Sequence, residues 1–277
     1  MISKNGTGPS KLDPRDYSFH KTFAHYGAAS PVNLPLDEYN FDSGLDMPDQ
    51  NADGFPNGCT GYTQSNIAED EDKASYDPSY TYLHTCVMEG HDYTQGCDIR
   101  TSAKCGQVNG MQVKGDTDLN NATKHRRGAY FSVDQAYQRD WFDSFRIALR
   151  NGKPISCGTP WFPEWERMGT DGILPDFTYD GNPNDVAWHN FAIKGETTIN
   201  GLPYLRIKSW QGSNYGQNGW CFMSRDVFNK AFDINGTIAL VQAEALPQDT
   251  VTIQLTLLQW ALVLMGRYLG LPINLYA

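Results

Sequence analysis

Basic charge is in short supply in this chain. Lys and Arg number 22 against 32 Asp and Glu, so the formal net charge is −10. Binding along a phosphate backbone needs a surplus of cations, which excludes DNA and RNA as main partners. Charged residues of both signs make up only 19 % of the chain while aromatics reach 13 %, the reverse of a disordered composition. No Cys-x-x-Cys pair occurs among the six cysteines at 59, 86, 97, 105, 157 and 221, which argues against a zinc ribbon or a thioredoxin-type motif. The opening MISKNGTGPSK holds no apolar core of signal-peptide length. The chain is therefore expected to be cytoplasmic or virion-associated, with its thiols mostly reduced.

What is present is turn-forming and globular. The 277 residues suffice for one large domain or two small ones, and 26 Gly with 15 Pro imply many loops. Residues 1–33 read as a polar arm, 34–245 as the main domain and 246–277 as a distinct tail. Helices are expected at Thr60–Ala74, Tyr80–Met88, Asp98–Gly106 and Asp140–Asn151, the last amphipathic and ended by Asn151-Gly152. Asp77-Pro78-Ser79 supplies a start signal for the second of these. Strands are expected at Pro154–Thr159, Trp188–Lys194, Pro203–Trp210 and Trp220–Ser224, with Asn200-Gly201 as a hairpin turn. Helices first and strands later mark the α+β class.

Two residues stand out chemically. Cys59, in Asn57-Gly58-Cys59-Thr60-Gly61, passes from a turn into a helix start, where free N–H groups and the helix dipole favour a thiolate. His189 lies on the strand Trp188-His189-Asn190-Phe191, upstream of Ile207-Lys208-Ser209-Trp210 and of Tyr215-Gly216-Gln217-Asn218-Gly219-Trp220. Ahead of Cys59, Asp49-x-Asn51-x-Asp53-Gly54 matches the first half of a calcium loop, but Thr60 stands where the bidentate Glu belongs, and a polar turn is the plainer reading. Lys124-His125-Arg126-Arg127 reads as a solvated basic loop.

Taken in order, Asp49-Gln50, Gly58-Cys59, Trp188-His189-Asn190-Phe191 and the Ser209-Trp210 to Gly219-Trp220 segment resemble the papain-like cysteine peptidases of compact bacterial or phage type. Leu34-Pro35-Leu36-Asp37, Asp77-Pro78-Ser79-Tyr80 and Gly152-Lys153-Pro154-Ile155 fit further landmarks of that family, over about residues 12–240. The resemblance implies a two-lobed fold, with a helical left lobe and an antiparallel, barrel-like right lobe. It implies hydrolysis of peptide or protein substrates without a cofactor. Cys59 would be the nucleophile, forming a thiolate/imidazolium pair with His189, and Gln50 would donate to the oxyanion beside the Cys59 N–H.

Three departures accompany the resemblance. The Asn that orients the family's histidine is replaced, by Ser209 in an ungapped alignment or by Lys208 if the Ser-Trp pair is the anchor. The loop from Gln50 to Cys59 is longer than the family norm. The helix after Cys59 carries Thr63, Gln64, Ser65 and Asn66 where the family is apolar, so its sequence offers no clear face for burial. An active peptidase is the first reading; a catalytically impaired papain-fold component of a virion or other assembly is the alternative. An amidase or acyl-transferring enzyme is a third.

The tail is uncharged from Thr250 to Gly266, somewhat short of the ~20 apolar residues a bilayer span needs and broken by Thr and Gln. As a helix it puts Ile253, Leu257, Trp260 and Leu264 on one face, widened by Leu255, Leu258, Leu262 and Met265. Such a stripe calls for a partner, and self-association or docking into an assembly is expected. Sizing the full chain beside a 1–246 truncation should show an oligomer that the truncation converts to a monomer. Two monomers, with the full chain soluble without detergent, would remove the expectation.

Overall fold

The computed structural model describes residues 9, 16, 18–22, 39–42, 48–136, 139–182 and 186–242. The helix expected in the tail and most of the N-terminal arm lie outside these. No helix among the described residues is long and apolar enough to cross a membrane.

The helical half comprises α1 (Phe19–Thr22), α2 (Cys59–Asp72), α3 (Pro78–Glu89) and α4 (Ile99–Val108), with β1 (Tyr39–Asn40) ahead of α2. The starts of α3 and α4 follow local rules. Asp77 accepts from the N–H of Ser79 and Tyr80 with Pro78 in the first turn, and Asp98 accepts from Arg100 and Thr101. The second half holds β2 (Tyr130–Ser132), α5 (Trp141–Arg150), β3 (Ile155–Trp161), β4 (Ala187–Ile199), β5 (Leu202–Lys208), β6 (Trp220–Ser224), α6 (Arg225–Phe232) and β7 (Ile238–Gln242). The strands pair antiparallel in the order β2-β7-β3-β4-β5-β6, an open sheet, and β1 adds to β4 at Gly195 and Glu196. Asn200 and Gly201, at φ 52° and 78°, form the two-residue turn between β4 and β5 that the sequence signalled. Strands β1, β2 and β7 and helix α6 were not anticipated; β1 and β2 are too short to show a period.

The main core lies between the sheet and helices α5 and α6. Phe142, Phe145 and Leu149 from α5 meet Phe228 and Phe232 from α6 over Ile155, Cys157, Phe191 and Ile193. Phe145 sits edge-on to both Phe228 and Phe232, at ring centroid separations of 4.8 and 4.7 Å.

Helix α2 corrects one expectation. It is buried from Cys59 to Asp70 despite its polar face. Several of its polar side chains meet partners on other elements or within the helix, which makes their burial tolerable. Ser65 bonds Thr81 of α3 at 3.0 Å, and Asn66 donates to Glu69 at 2.8 Å. Lys194 crosses from β4, at the register shift between Ile193 and Gly195, to Asn66 Oδ1 at 2.6 Å and Asp70 at 2.5 Å. Gly61 lets α3 approach, since a Cβ there would lie 2.6 Å from the Tyr82 backbone nitrogen.

The basic run 124–127 is a second correction. It is not a solvated loop throughout: Arg127 is buried and paired with Glu71 and with Asp72, the latter at 2.9 Å. His125 Nδ1 lies 3.1 Å from the Tyr76 hydroxyl, which itself donates to Asp72. The acidic end of α2 needs the Arg127 cation, because four carboxylates at a helix C-terminus oppose the dipole.

Burial pushes the Lys194 ammonium down to about 8, with Asp70 acting in the opposite direction. Removing one charge strands the other in a dry site. Asp70→Asn should therefore cost about 3–5 kcal/mol, read as a lower urea midpoint at unchanged m-value. A change within about 0.5 kcal/mol would show the pair to be solvated.

Candidate active site

Cys59 is the first residue of α2 and is buried. Gly58 precedes it and caps the helix with no side chain, so no capping side chain competes for the first-turn N–H groups. Around Cys59 are Tyr62, Ile67, Ala192 and Trp210, with Phe55 against their edge.

His189 sits in β4 opposite Thr159 of β3 and is fully buried. Its ring packs edge-on against Trp161 at 4.8 Å. Nε2 lies 3.2 Å from Ser209 Oγ, and Nδ1 has no hydrogen-bond partner among the described residues. Gln211 donates to the same Oγ at 3.4 Å. Lys208 points elsewhere, toward Asp42 at 4.0 Å and over the Trp220 ring. Ser209, not Lys208, thus occupies the place beside the second ring nitrogen. Burial pushes the imidazole down to about 3, so an imidazolium there needs a neighbouring anion.

Trp210 ties these pieces together. Its indole N–H reaches Thr63 Oγ1 at 2.7 Å and the carbonyl of Asn190 at 3.0 Å. Thr63 Oγ1 in turn donates to the Cys59 carbonyl at 2.8 Å. The residue after His189 is therefore joined to Cys59 through a short run of hydrogen bonds. Gln50 enters the same cluster, its N–H donating to the Trp210 carbonyl at 3.1 Å. One N–H of the Gln50 amide is held by the Pro56 carbonyl at 2.9 Å, which leaves the other as a donor. The sequence alone assigns no role to the tryptophan of Ser209-Trp210, and Thr63, four residues after Cys59, stands out there only as a polar residue on the helix.

Of the calcium-loop residues, Asp49 accepts from the N–H of Asn51 and Ala52, and Asp53 accepts from the Tyr62 hydroxyl at 2.8 Å. Both carboxylates shape the turn ahead of α2. A cavity of about 660 Å³ opens along Tyr62, Ser65, Asn66 and Glu69 of α2, facing Asp53 and Asp77, and Cys59 and His189 do not line it.

Solved structures share this architecture. Xylellain, a cysteine protease from Xylella fastidiosa, superposes with a TM-score of 0.65 at 17 % identity, over 88 % of this chain and 97 % of its own. Procathepsin L 3 of the Tenebrio molitor larval midgut gives 0.61 at 14 % identity, over 88 % and 76 %. Procathepsin B S9 from Trypanosoma congolense gives 0.58 at 12 %, over 88 % of each chain. The fold is papain-like. No family model matches the sequence, and no curated protein does. The papain-like fold is thus carried by a sequence far from those of these solved structures.

The indole hub makes a direct test. Trp210→Phe keeps an aromatic side chain, smaller than the indole, and removes both hydrogen bonds, so the Asn190 carbonyl loses the indole donor. A loss of roughly 1–3 kcal/mol in unfolding free energy is expected, with slower alkylation of Cys59. Unchanged stability and unchanged labelling would show that the indole only fills space.

Proposed function

We propose that the protein is a cysteine peptidase acting through Cys59 and His189. The observation that carries this reading is the hydrogen-bonded run from Cys59 through Thr63 and Trp210 to Asn190, which sets the helix start beside the strand that bears the histidine. The papain-like fold and the protease relatives support it.

The chemistry follows from the groups present. Burial favours a neutral imidazole, so Nδ1 accepts the Cys59 proton as the sulfur attacks the substrate carbonyl carbon. The resulting thiolate or oxyanion supplies the negative charge that an imidazolium requires. Ser209 Oγ accepts from the Nε2–H of that imidazolium, a shorter hold than an amide would give. The oxyanion takes the Cys59 N–H and the second N–H of Gln50. The imidazolium then protonates the leaving amine, and the C–N bond breaks to leave a thioester on Cys59. Water attacks that thioester with His189 as base, and the acid product leaves with the thiol restored.

Selective modification is the test. An epoxysuccinyl probe or iodoacetamide should label Cys59 well ahead of the other cysteines, mapped by mass after limited reaction. Equal labelling of all accessible thiols would remove the peptidase reading. The charge on His189 supplies a second check. In Cys59→Ser the counter-ion is gone, so the imidazole should stay neutral on acidification until about pH 4, by 15N NMR. The sign for stability is set by the same depression. The contribution of the buried neutral ring is present above the unfolded value of 6.5 and is lost as pH falls from there toward 3. A His189 that titrates near 6.5 in Cys59→Ser would show the ring to be solvated.

A further inference from the structure

Outside the active site, one cluster of ligand-type side chains has no role in the reaction. Cys86, near the end of α3, and Cys97, just before α4, bring their sulfurs to 3.4 Å. A ring nitrogen of His91 lies with both sulfurs inside a common 4.8 Å limit. Both cysteines are buried, while the His91 side chain keeps 17 % of its surface, so the cluster has a dry floor and one open side. The spacing Cys86-x4-His91-x5-Cys97 folds a tight loop around the three groups. Tetrahedral coordination with a Zn–S distance of about 2.3 Å separates two thiolates by roughly 3.8 Å, close to what is found here.

The surroundings suit a cation. His91 Nδ1 faces the Asp92 carbonyl at 2.8 Å and Nε2 faces the Glu89 carboxylate at 2.9 Å. Both neighbours are acceptors, so a metal on one ring nitrogen would replace the acceptor there and leave the other as the ring's outer partner. A carbonyl or carboxylate behind the ring is also the usual outer partner of a ligating histidine. Glu89 is fixed as well by the Asp98 N–H, at 2.9 Å.

We propose that Cys86, His91 and Cys97 bind a soft divalent cation of the zinc type, with water in the fourth position. On binding, the two thiol protons and any proton on the ligating ring nitrogen leave to solvent, and two S–metal bonds and one N–metal bond form. The site acts as a staple on the loop that braces the nucleophile. Tyr82 donates to the carbonyls of Tyr93 and Gln95 within that loop, and the Asn57 amide donates to the Thr94 carbonyl two residues before Cys59. Phe55 packs both on the Cys86/Cys97 cluster and on the Cys59 cluster.

Cobalt(II) titration of the reduced full-length Cys59→Ser protein tests this, since that background removes the proposed nucleophilic thiol. Thiolate-to-cobalt charge-transfer and tetrahedral d–d bands are expected, saturating at one metal per chain and displaced by zinc. Zinc should also raise the unfolding temperature. Cys97→Ser should abolish the bands. His91→Gln, a change at a partly exposed loop position, should weaken binding by at least about tenfold, with an unfolding temperature near that of the parent in the absence of metal. Reduced protein that takes up no cobalt would overturn the proposal. So would equal binding by His91→Gln, or a Cys86–Cys97 disulfide in the purified protein with no metal uptake after its reduction. Because the cobalt readout is made without the catalytic thiol, its outcome is independent of whether the peptidase reading holds.

Discussion

The indole N–H of Trp210 is the interaction on which the site depends. It sits where α2 meets the sheet and is shared between the Thr63 hydroxyl and the Asn190 carbonyl. A helix and a strand from opposite halves of the chain are thereby held at one distance. The same residue offers its carbonyl to Gln50, and its neighbour Ser209 stands beside His189. Every group proposed for the reaction lies on Trp210, next to it, or one hydrogen bond from a residue that touches it. A buried donor with two acceptors is costly to misplace, so the contact fixes geometry as well as adding stability.

Electrostatics repeat the theme at the other end of α2. Four carboxylates in sequence, Glu69 to Asp72, crowd a helix C-terminus that already carries partial negative charge. The fold answers with Lys194 from β4, Arg127 from the segment after α4 and Lys153 from the approach to β3. These pairs link the helical half to the sheet, and they are directional where apolar contacts are not. Helix α2 is thus located at its start by the indole and at its end by ion pairs. That is how a helix without an apolar stripe can stand at the centre of the molecule.

Burial has a chemical consequence at His189. A ring closed in by Trp161 and β4 is held neutral, and its protonated form depends on an anion beside it. In the proposed reaction such a ring would become charged only as the Cys59 thiol gives up its proton, which would couple base and nucleophile more tightly than an exposed histidine would. Ser209 offers one oxygen where an amide carbonyl would reach further, and Gln211 steadies that oxygen from its far side.

Much of the architecture was legible in the order of residues. Asp77-Pro78 and Asp98 announce α3 and α4, Asn200-Gly201 announces the β4–β5 turn, and the apolar positions of Phe142, Phe145 and Leu149 announce α5, because caps, turns and helical stripes are local physics. Cys59 at a helix start and His189 on a strand were also readable, since each depends on its near neighbours. The partners were not. That α2 is buried through polar contacts, that Arg127 reaches Glu71 and Asp72, and that Ser209 instead of Lys208 faces the imidazole all depend on residues far apart in the chain. A hydrogen bond satisfies a buried polar group only once the fold has brought its partner within about 3 Å, and no local pattern encodes that distance. The sequence by itself determined the capped helices, the central strands and their turn, and marked Cys59 and His189 as candidates; the tertiary structure added the short strands and decided which side chains meet.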